Sequence, residues 1–545
     1  MSRSVSNALL AAVLLGTVLL VLPGLGATAL WQDEGQTAAV ARNVLSTGLP
    51  HASDGTNTVS LFGDRRDIRD GIYIWQPWVP NYVAAASMAV FGADSFGARF
   101  PFALCLPLLV LAVFRFCARW QDDRVVTWSA TVLTAGSVVM LLHARQCRYY
   151  VLAALLSLLV VDAWLRLRRG DGIMAVVRLA VASTLLFNSF PPGAVLLGAA
   201  LAIDLAWSDN RDRRWRHVAV ALGAVIVVNL PVAVYLRIWD RQYGVQPGYS
   251  DPGVFGTYLA RYLLSLNLYF FPALIVAGAT VMRWRSVVRA TILRDPLTRV
   301  TLLVVVAQVV GFAAVSDYPF TRYLIGAAPF VFLLGARCIA VLSARNTRVA
   351  AALVTVTLAT NVLGMPPLLV LRSTSLGKSA WNRAGIDGRL LVADDVGGSF
   401  ARGEIGLLAR TPVGSPLWDH VSELRRPPLG PLDAILDHLD RHAEPGDRVY
   451  AGYGDLSLMF HTALEIRGKS DTDVLAPEFF VPRHFNPIHP QRLARQGVLR
   501  PNYTVTPLGV ADYQWNNSPD PLYHRFDHDP SGQAPELHVF RRTAD

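Results

Sequence analysis

Lysine is nearly missing: Lys378 and Lys469 are the only two in 545 residues. The positive charge is therefore almost all arginine, and the net charge of +10 reads as membrane topology rather than as a nucleic-acid footprint. Charged residues of both signs are sparse at 17%, against roughly 25% in a soluble domain. Cysteine is sparse too. Cys105, Cys117, Cys147 and Cys338 lie in or beside apolar runs, which excludes a disulfide framework and gives no zinc spacing. No metal site is expected, although a divalent metal is compatible with the chemistry developed below. Gly377-Lys378-Ser379 lacks the upstream glycine of a phosphate-binding loop, which argues against nucleotide-driven chemistry. Internal repeats and low-complexity tracts are absent.

Long apolar runs fill the first two thirds of the chain. Judged against the roughly 20 residues needed to cross a bilayer, eleven spans are expected: 8–30, 96–117, 125–143, 149–167, 173–189, 191–207, 217–236, 256–282, 300–315, 323–342 and 349–371. Spans 173–189 and 191–207 are the weakest, being separated by Pro191-Pro192, and the count can fall between ten and thirteen. The first run is not a cleaved signal peptide, because it lacks a small-residue cleavage site. Arginine placement orients the bundle. Loops with Arg115, Arg119 and Arg124, with Arg166, Arg168 and Arg169, with Arg211, Arg213, Arg214 and Arg216, with Arg283, Arg285 and Arg289, and with Arg345 and Arg348 alternate with arginine-poor loops. Placing the rich loops inside predicts a multi-pass plasma-membrane protein with a cytoplasmic N-terminus. The long loop 31–95 and everything after residue 371 then lie outside.

Two regions fall outside the spans. Segment 75–91 is apolar with aromatic ends and too short to cross, which predicts an interfacial helix in the first outer loop. Beyond 371 the long apolar runs stop. Strand-like pieces 389–392, 448–450 and 537–540 alternate with a helix-like piece 432–442, so 372–545 is expected to form an extracytoplasmic α/β domain beside the membrane domain 1–371.

Candidate chemistry gathers at the outer face. Asp33-Glu34 directly follows the first run, where a lipid-borne substrate would arrive. Asp33 is a candidate general base, and the bland reading is an acidic loop start. Arg145, Arg148, Arg261 and Arg322 sit within a turn or two of apolar runs, where a charge is costly and is usually paired or functional. As a set they suit the phosphate of a lipid carrier. Snorkelling to headgroups, or pairing with Asp240 or Asp317, is the alternative. Tyr149 and Tyr323 stand beside two of these arginines, and His143 is either an interfacial histidine or a ligand. In the cluster Asp64-Arg65-Arg66-Asp67-Ile68-Arg69-Asp70 the signs alternate. Asp67 or Asp70 orients an acceptor hydroxyl, or the loop is simply self-neutralised.

These features together resemble the GT-C superfamily of polyprenyl-phosphate-sugar-dependent glycosyltransferases, in the branch of aminoarabinose transferases and protein O-mannosyltransferases. The carriers are Asp33-Glu34, Gln76-Pro77-Trp78, the run from Gly92 to Pro101, Ala144 to Tyr150, and Thr321-Arg322-Tyr323-Leu324, with Glu444 to Val449 further on. The likeness covers the whole chain in architecture and roughly 8–330 in motif. It implies a GT-C fold of about eleven transmembrane helices and transfer of a hexosyl or pentosyl group from a polyprenyl phosphate. The acceptor would be a hydroxyl on a cell-wall or envelope glycan, a lipid or a protein. By the same resemblance Asp33 is the catalytic base with Glu34 as its partner. Arg322, with Arg145 and Arg148 after it, matches positions that hold the lipid phosphate; beside the resemblance, Tyr149 and Tyr323 are expected at the donor phosphate, and Asp67, Asp70 and Gln76 at the acceptor. Many relatives carry Lys-Pro-Pro where this chain has Gln76-Pro77-Trp78, and Arg69 would replace that charge. The rival class is a transporter or flippase of lipid-linked saccharides. It accounts for the spans but not for the carboxylate pair or the outer α/β region.

Overall fold

The computed structural model describes residues 3–61, 66–207, 215–238, 249, 251–290, 295–374, 402, 405–406, 408–409, 411–427, 429–468, 477–483, 503–513 and 535–543. The expected strand at 389–392 and the cluster residues Asp64 and Arg65 lie outside these, as do Arg211, Arg213, Arg214 and Asp240.

A helical bundle comes first. Its helices are α1 (Arg3–Val21), α2 (Gln32–Thr47), α3 (Val79–Phe91), α4 (Ser95–Trp120), α5 (Arg124–Gly136), α6 (Val138–Ala144), α7 (Tyr150–Arg169), α8 (Ile173–Phe187), α9 (Pro191–Ala206), α10 (Trp215–Tyr235), α11 (Pro252–Ser265), α12 (Ala273–Ala290), α13 (Pro296–Val315), α14 (Ala328–Leu342), α15 (Thr347–Ala359) and α16 (Met365–Ser373). Among the described residues, six straight stretches are long and apolar enough to cross a membrane: Ser4–Val21, Ser95–Trp120, Tyr150–Arg169, Arg216–Tyr235, Pro296–Val315 and Thr321–Leu342. Three more are bent pairs, Arg124–Gly136 with Val138–Ala144 at 50°, Pro252–Phe270 with Ala273–Met282 at 90°, and Thr347–Ala359 with Val362–Ser373 at 81°. With the shorter α8 and α9 these match the eleven apolar segments of the sequence.

The breaks have local causes. The 90° bend follows a π turn at Leu266–Phe270, where Pro272 forces Phe271 into an extended conformation and removes a backbone donor. The 50° bend sits at Ser137, whose backbone is extended. The first span differs from expectation at its end. The apolar run reaches residue 30, but α1 stops at Val21, because Pro23 and the left-handed Gly24 (φ +63°) turn the chain. Residues 22–30 then cross irregularly to α2. Segment 75–91 does form the short helix α3, opened by Pro80 near its N-terminus.

The C-terminal part carries α17 (Pro416–Arg425), α18 (Pro431–His442), β3 (Arg448–Ala451), α19 (Asp455–His461), β4 (Glu465–Arg467), β5 (Phe479–Val481), β6 (Tyr503–Ala511) and β7 (Glu536–Arg542). Their sheet has the order β4-β3-β5-β7-β6, with β3 parallel to both β4 and β5 and the β7 pairings antiparallel. Glu444-Pro445-Gly446-Asp447 is the turn into β3. Gly446 takes φ +93° and Asp447 N–H closes on Glu444 O at 3.0 Å, as a type II turn requires.

One apolar cluster fills the bundle and another lies between α2, α3 and the sheet. The second includes Leu30, Trp31, Val40, Leu432, Ile435, Val449, Leu456 and Val539. α2 is thus buried on nearly all sides, which its small residues Gly35, Ala38, Ala39 and Ala41 permit. α4 and α7 start beside α2 with Arg99 and Tyr150 and run roughly 30–40 Å at 1.5 Å per residue to Arg119 and Arg166. There the charges are paired: Arg119 and Arg166 with Asp162 at 2.8 Å each, and Arg299 with Asp204 at 2.7 Å.

Candidate active site

The first turn of α2 is held on every side. Trp31 precedes it in extended conformation, and its N–H donates to Glu34 Oε2 at 3.3 Å. Two carboxylates in this turn suit the positive end of a helix. Successive side chains leave the helix about 100° apart, so neighbours in sequence reach different partners.

Asp33 points at two arginines. Its Oδ2 lies 3.4 Å from Arg322 Nη1 and 3.9 Å from Arg148 Nη2. It is the most open of the three, with 23% of its side chain exposed. Arg148 Nη1 also donates to Asp33 O at 3.0 Å, Gln36 Oε1 at 3.1 Å, Thr37 Oγ1 at 2.9 Å and Gln76 Oε1 at 2.8 Å. Arg322 rides on a 3-10 turn, Thr321–Ala327, that leads into α14. Its guanidinium lies 4.1 Å from the Phe320 ring centre, 5.7 Å from Trp31 and 5.9 Å from Tyr323, an arrangement that favours a partly desolvated cation. Beside the arginines runs a stacked aromatic row. Tyr149 and Phe190 are 4.8 Å apart, Phe190 and Phe312 5.5 Å, and Phe312 and Tyr323 5.6 Å. Trp31 Nε1, Tyr150 Oη and Arg148 Nε are buried here without a hydrogen-bond partner among the described residues.

Glu34 faces the other way. It is fully buried, and its carboxylate accepts from Arg99 Nε at 2.8 Å, Arg99 Nη2 at 2.7 Å and Cys147 N at 2.7 Å. Arg99 in turn donates to the carbonyls of Leu25 at 3.0 Å, Thr28 at 2.9 Å and Ala29 at 2.9 Å. Glu34 therefore fixes the linker before α2 and the loop that carries Arg148. It is not presented to the face where Asp33 lies.

The remaining expected residues divide. Tyr149, Tyr323, Arg148 and Arg322 are brought to Asp33. Arg145 is not: its guanidinium donates to the carbonyls of Val21 at 2.5 Å, Pro23 at 2.8 Å and Gly24 at 3.1 Å, where it caps the end of α1. Carbonyls at and beyond a helix C-terminus need donors, which gives the Arg145 charge a local partner away from Asp33. Gln76 is buried against Arg148, Asn81 and Thr37, where it braces an arginine. Asp67 is buried and accepts from Ser60 Oγ at 2.7 Å and Leu61 N at 2.6 Å, which shapes its own loop. Asp70 and Gly71 (φ +53° and +77°) form the tight turn of a small hairpin, β1 (Ile68–Arg69) and β2 (Ile72–Tyr73). Asp-Gly is the preferred pair for such a turn. Arg69 stacks 4.9 Å from Tyr235, and none of the described contacts joins it to Asp33. His143 is buried and bonds Val139 O at 2.7 Å.

Sequence reasoning gave Arg99, inside the Gly92–Pro101 run, no role of its own, and it missed Gln36, Phe190 and Phe312. Arg99 carried a usable signal, a charge early in an apolar span; the two phenylalanines carried none beyond hydrophobicity. It also passes over the i,i+4 pair His438 and His442, whose rings stack 4.4 Å apart on α18. Among the described residues no three His, Cys, Asp or Glu side chains converge as a metal site.

The C-terminal elements reach the same turn. Asp433 Oδ1 accepts Ala29 N–H at 2.6 Å, and burial pushes its carboxyl up despite that bond and one from Gly430 N. His461 Nε2 accepts Leu30 N–H at 3.1 Å. Burial, then the charges of Arg99 and Arg42, lower its pKa to about 4, so the ring is neutral and free to accept.

The architecture, with many apolar helices, a long first loop and a small sheet beside it, recurs in solved structures. The chain is similar over 100% of its length to ArnT from Cupriavidus metallidurans in its crystal structure bound to undecaprenyl phosphate, with 99% of that chain covered, a TM-score of 0.61 and 15% identity. It is similar to the same protein in the apo state over 99% of its length and 98% of that chain, with a TM-score of 0.58 and 14% identity. At these identities the likeness is one of fold. No protein-family model and no curated protein sequence matches the chain.

Proposed function

We propose that the protein is a membrane glycosyltransferase that moves a sugar from a polyprenyl phosphate to an acceptor hydroxyl at the outer face of the membrane. The observation that carries this is the Asp33–Arg148–Arg322 cluster: one partly open carboxylate within 4 Å of two guanidinium groups, at the end of the bundle opposite its arginine-rich termini. Undecaprenyl phosphate in the similarly folded ArnT supports a donor of this chemistry.

In this reading the donor phosphate competes with Asp33 for the guanidinium groups. Phosphate takes the two arginines and leaves the carboxylate to the acceptor. The acceptor oxygen then attacks the anomeric carbon from the face opposite the phosphate. The carbon–oxygen bond to phosphate breaks, the electron pair leaves with the lipid phosphate, and Asp33 takes the hydroxyl proton. Configuration inverts. Arg148 and Arg322 oppose the charge that grows on the leaving oxygen. Positioned proton removal contributes roughly 10²–10⁴-fold in rate.

The test is transfer by purified protein supplied with a panel of polyprenyl-phosphate sugars. Wild type is expected to consume at least one donor and release polyprenyl phosphate. Asp33→Asn is expected to be slower by about 10²-fold or more. No turnover across the panel, or an Asp33→Asn variant at more than half of wild-type activity, would overturn the proposal.

A further inference from the structure

We infer that the C-terminal sheet is part of the transfer machinery, with Gln32 and Asp455 acting as positioning residues that set where Asp33 sits. This rests on the reading of Asp33 as the base.

The contact begins where β3 ends. In open sheets with parallel strands, ligands bind beyond the carboxyl ends of the strands, where the chain crosses first to one side and then to the other. β3 is such a strand, because the chain leaves it for β4 on one side and returns to β5 on the other. The turn beyond its carboxyl end is Gly452-Tyr453-Gly454-Asp455. That turn is filled by α2. Gly454 N–H donates to Gln32 Oε1 at 2.9 Å, and Gln32 Nε2 donates to Asp455 Oδ1 at 2.7 Å. Both ends of the Gln32 amide are therefore used, and Asp455 is 5% exposed.

The grip continues along the helix. Gly35 sits directly against α19: a Cβ there would lie 2.6 Å from Ser457 N and Cα. Ser457 Oγ donates to Leu30 O, His461 Nε2 accepts Leu30 N–H, and Arg42 donates to the carbonyls of Phe460 and Met459 at 2.9 Å each. Asp33 is flanked by Gln32, held by the sheet, and by Glu34, held by Arg99. Its carboxylate has no contact with the sheet of its own among the described residues, so the sheet acts on Asp33 through the backbone of the turn. A displacement of this kind is costly, since a misplacement near 1 Å can cost about 10²-fold in rate.

The hydrogen-bond chemistry gives a swap that separates position from folding. Gln32→Glu sets a carboxylate against Asp455. Gln32→Glu combined with Asp455→Asn restores the pair with its direction reversed. The amide introduced at position 455 can donate to the carboxylate introduced at position 32, while Gly454 N–H still finds an oxygen. Full-length protein in nanodiscs is measured two ways, by hydrogen exchange of the peptide 29–37 and by kcat and KM with an active donor from the panel. Gln32→Glu is expected to speed exchange in that peptide on the order of 10-fold and to lower kcat by roughly 10–10²-fold, with KM for donor unchanged. The double variant should return both readouts toward wild type. Unchanged exchange in Gln32→Glu, or no recovery in the double variant, overturns the inference. Asp33→Asn in the same preparation separates the two ideas. If it stays active, the base assignment falls. If it is silent while Gln32→Glu keeps its full kcat, the positioning role falls and the base assignment stands.

Discussion

Glu34→Gln isolates the buried charge on which the site is built. The substitution keeps the shape of the side chain and removes its charge. Both members of the Glu34–Arg99 pair are nearly unexposed, 0% and 3% of their side chains. With a neutral amide at 34, Arg99 keeps the carbonyls of Leu25, Thr28 and Ala29 and the Thr28 hydroxyl as acceptors, but loses its carboxylate partner. One amide hydrogen would also face the N–H of Arg99 or Cys147, both of which now donate to the carboxylate at 2.7–2.8 Å. Breaking one side of a buried pair costs roughly 3–5 kcal/mol, and that is the loss expected for Glu34→Gln. Glu34→Gln with Arg99→Met removes the stranded charge. It should cost less than the sum of the single changes, although the three carbonyls then lose their donor at about 1–3 kcal/mol for a buried unsatisfied group. Reversible unfolding in mixed micelles measures the four proteins as a double-mutant cycle. A Glu34→Gln loss under about 1 kcal/mol, or costs that simply add in the double variant, would refute this account of the carboxylate.

Three further outcomes follow. Gly35→Ala should loosen the sheet from α2, because Ser457 backbone blocks the new methyl at 2.6 Å; Ala is worth about 1 kcal/mol more than Gly inside a helix, so a loss of stability and faster proteolysis of the C-terminal region must be steric, and a variant as resistant as wild type contradicts the packing. His461 is held near pKa 4, below the ordinary 6.5, so its contribution to stability is complete above about 6.5 and is lost as pH falls from there toward 4; His461→Gln, which still accepts from Leu30 N–H, should flatten that part of the pH–stability curve, and curves of equal slope would contradict it. Asp440→Cys should react with an impermeant thiol reagent in intact cells and Asp171→Cys only after permeabilisation, both positions being exposed; the reverse pattern would invert the proposed orientation.

Much of this was legible in the sequence, for a physical reason. A bilayer demands about 20 apolar residues per crossing, so the spans stand out, and a charge at the mouth of a span is costly enough to mark Asp33, Arg148 and Arg322. At Arg145 the same cost is met by the open carbonyls at the end of α1, a contact that the sequence does not display. At Asp70 the Asp-Gly pair is itself a turn signal, and the hairpin it makes sits inside a run of alternating charges. Gln76 shows the limit of single-residue reading: its role as a brace exists only because Arg148 folds onto it across 72 positions. The clamp on α2 was hidden entirely, since Ala29 and Asp433, Leu30 and His461, and Gln32 and Asp455 stand 404, 431 and 423 residues apart, and no local pattern encodes such pairs.

The most direct test of the central claim is the affinity of undecaprenyl phosphate for wild type, Asp33→Asn and Arg322→Ala in the same nanodiscs. If phosphate and Asp33 compete for the arginines, Asp33→Asn binds at least as tightly as wild type although it cannot transfer. Arg322→Ala loses a charge-assisted contact of about 1.5–3 kcal/mol, or roughly 10- to 150-fold in Kd. Weaker binding by Asp33→Asn, or unchanged binding by Arg322→Ala, would contradict the assignment of base and phosphate site.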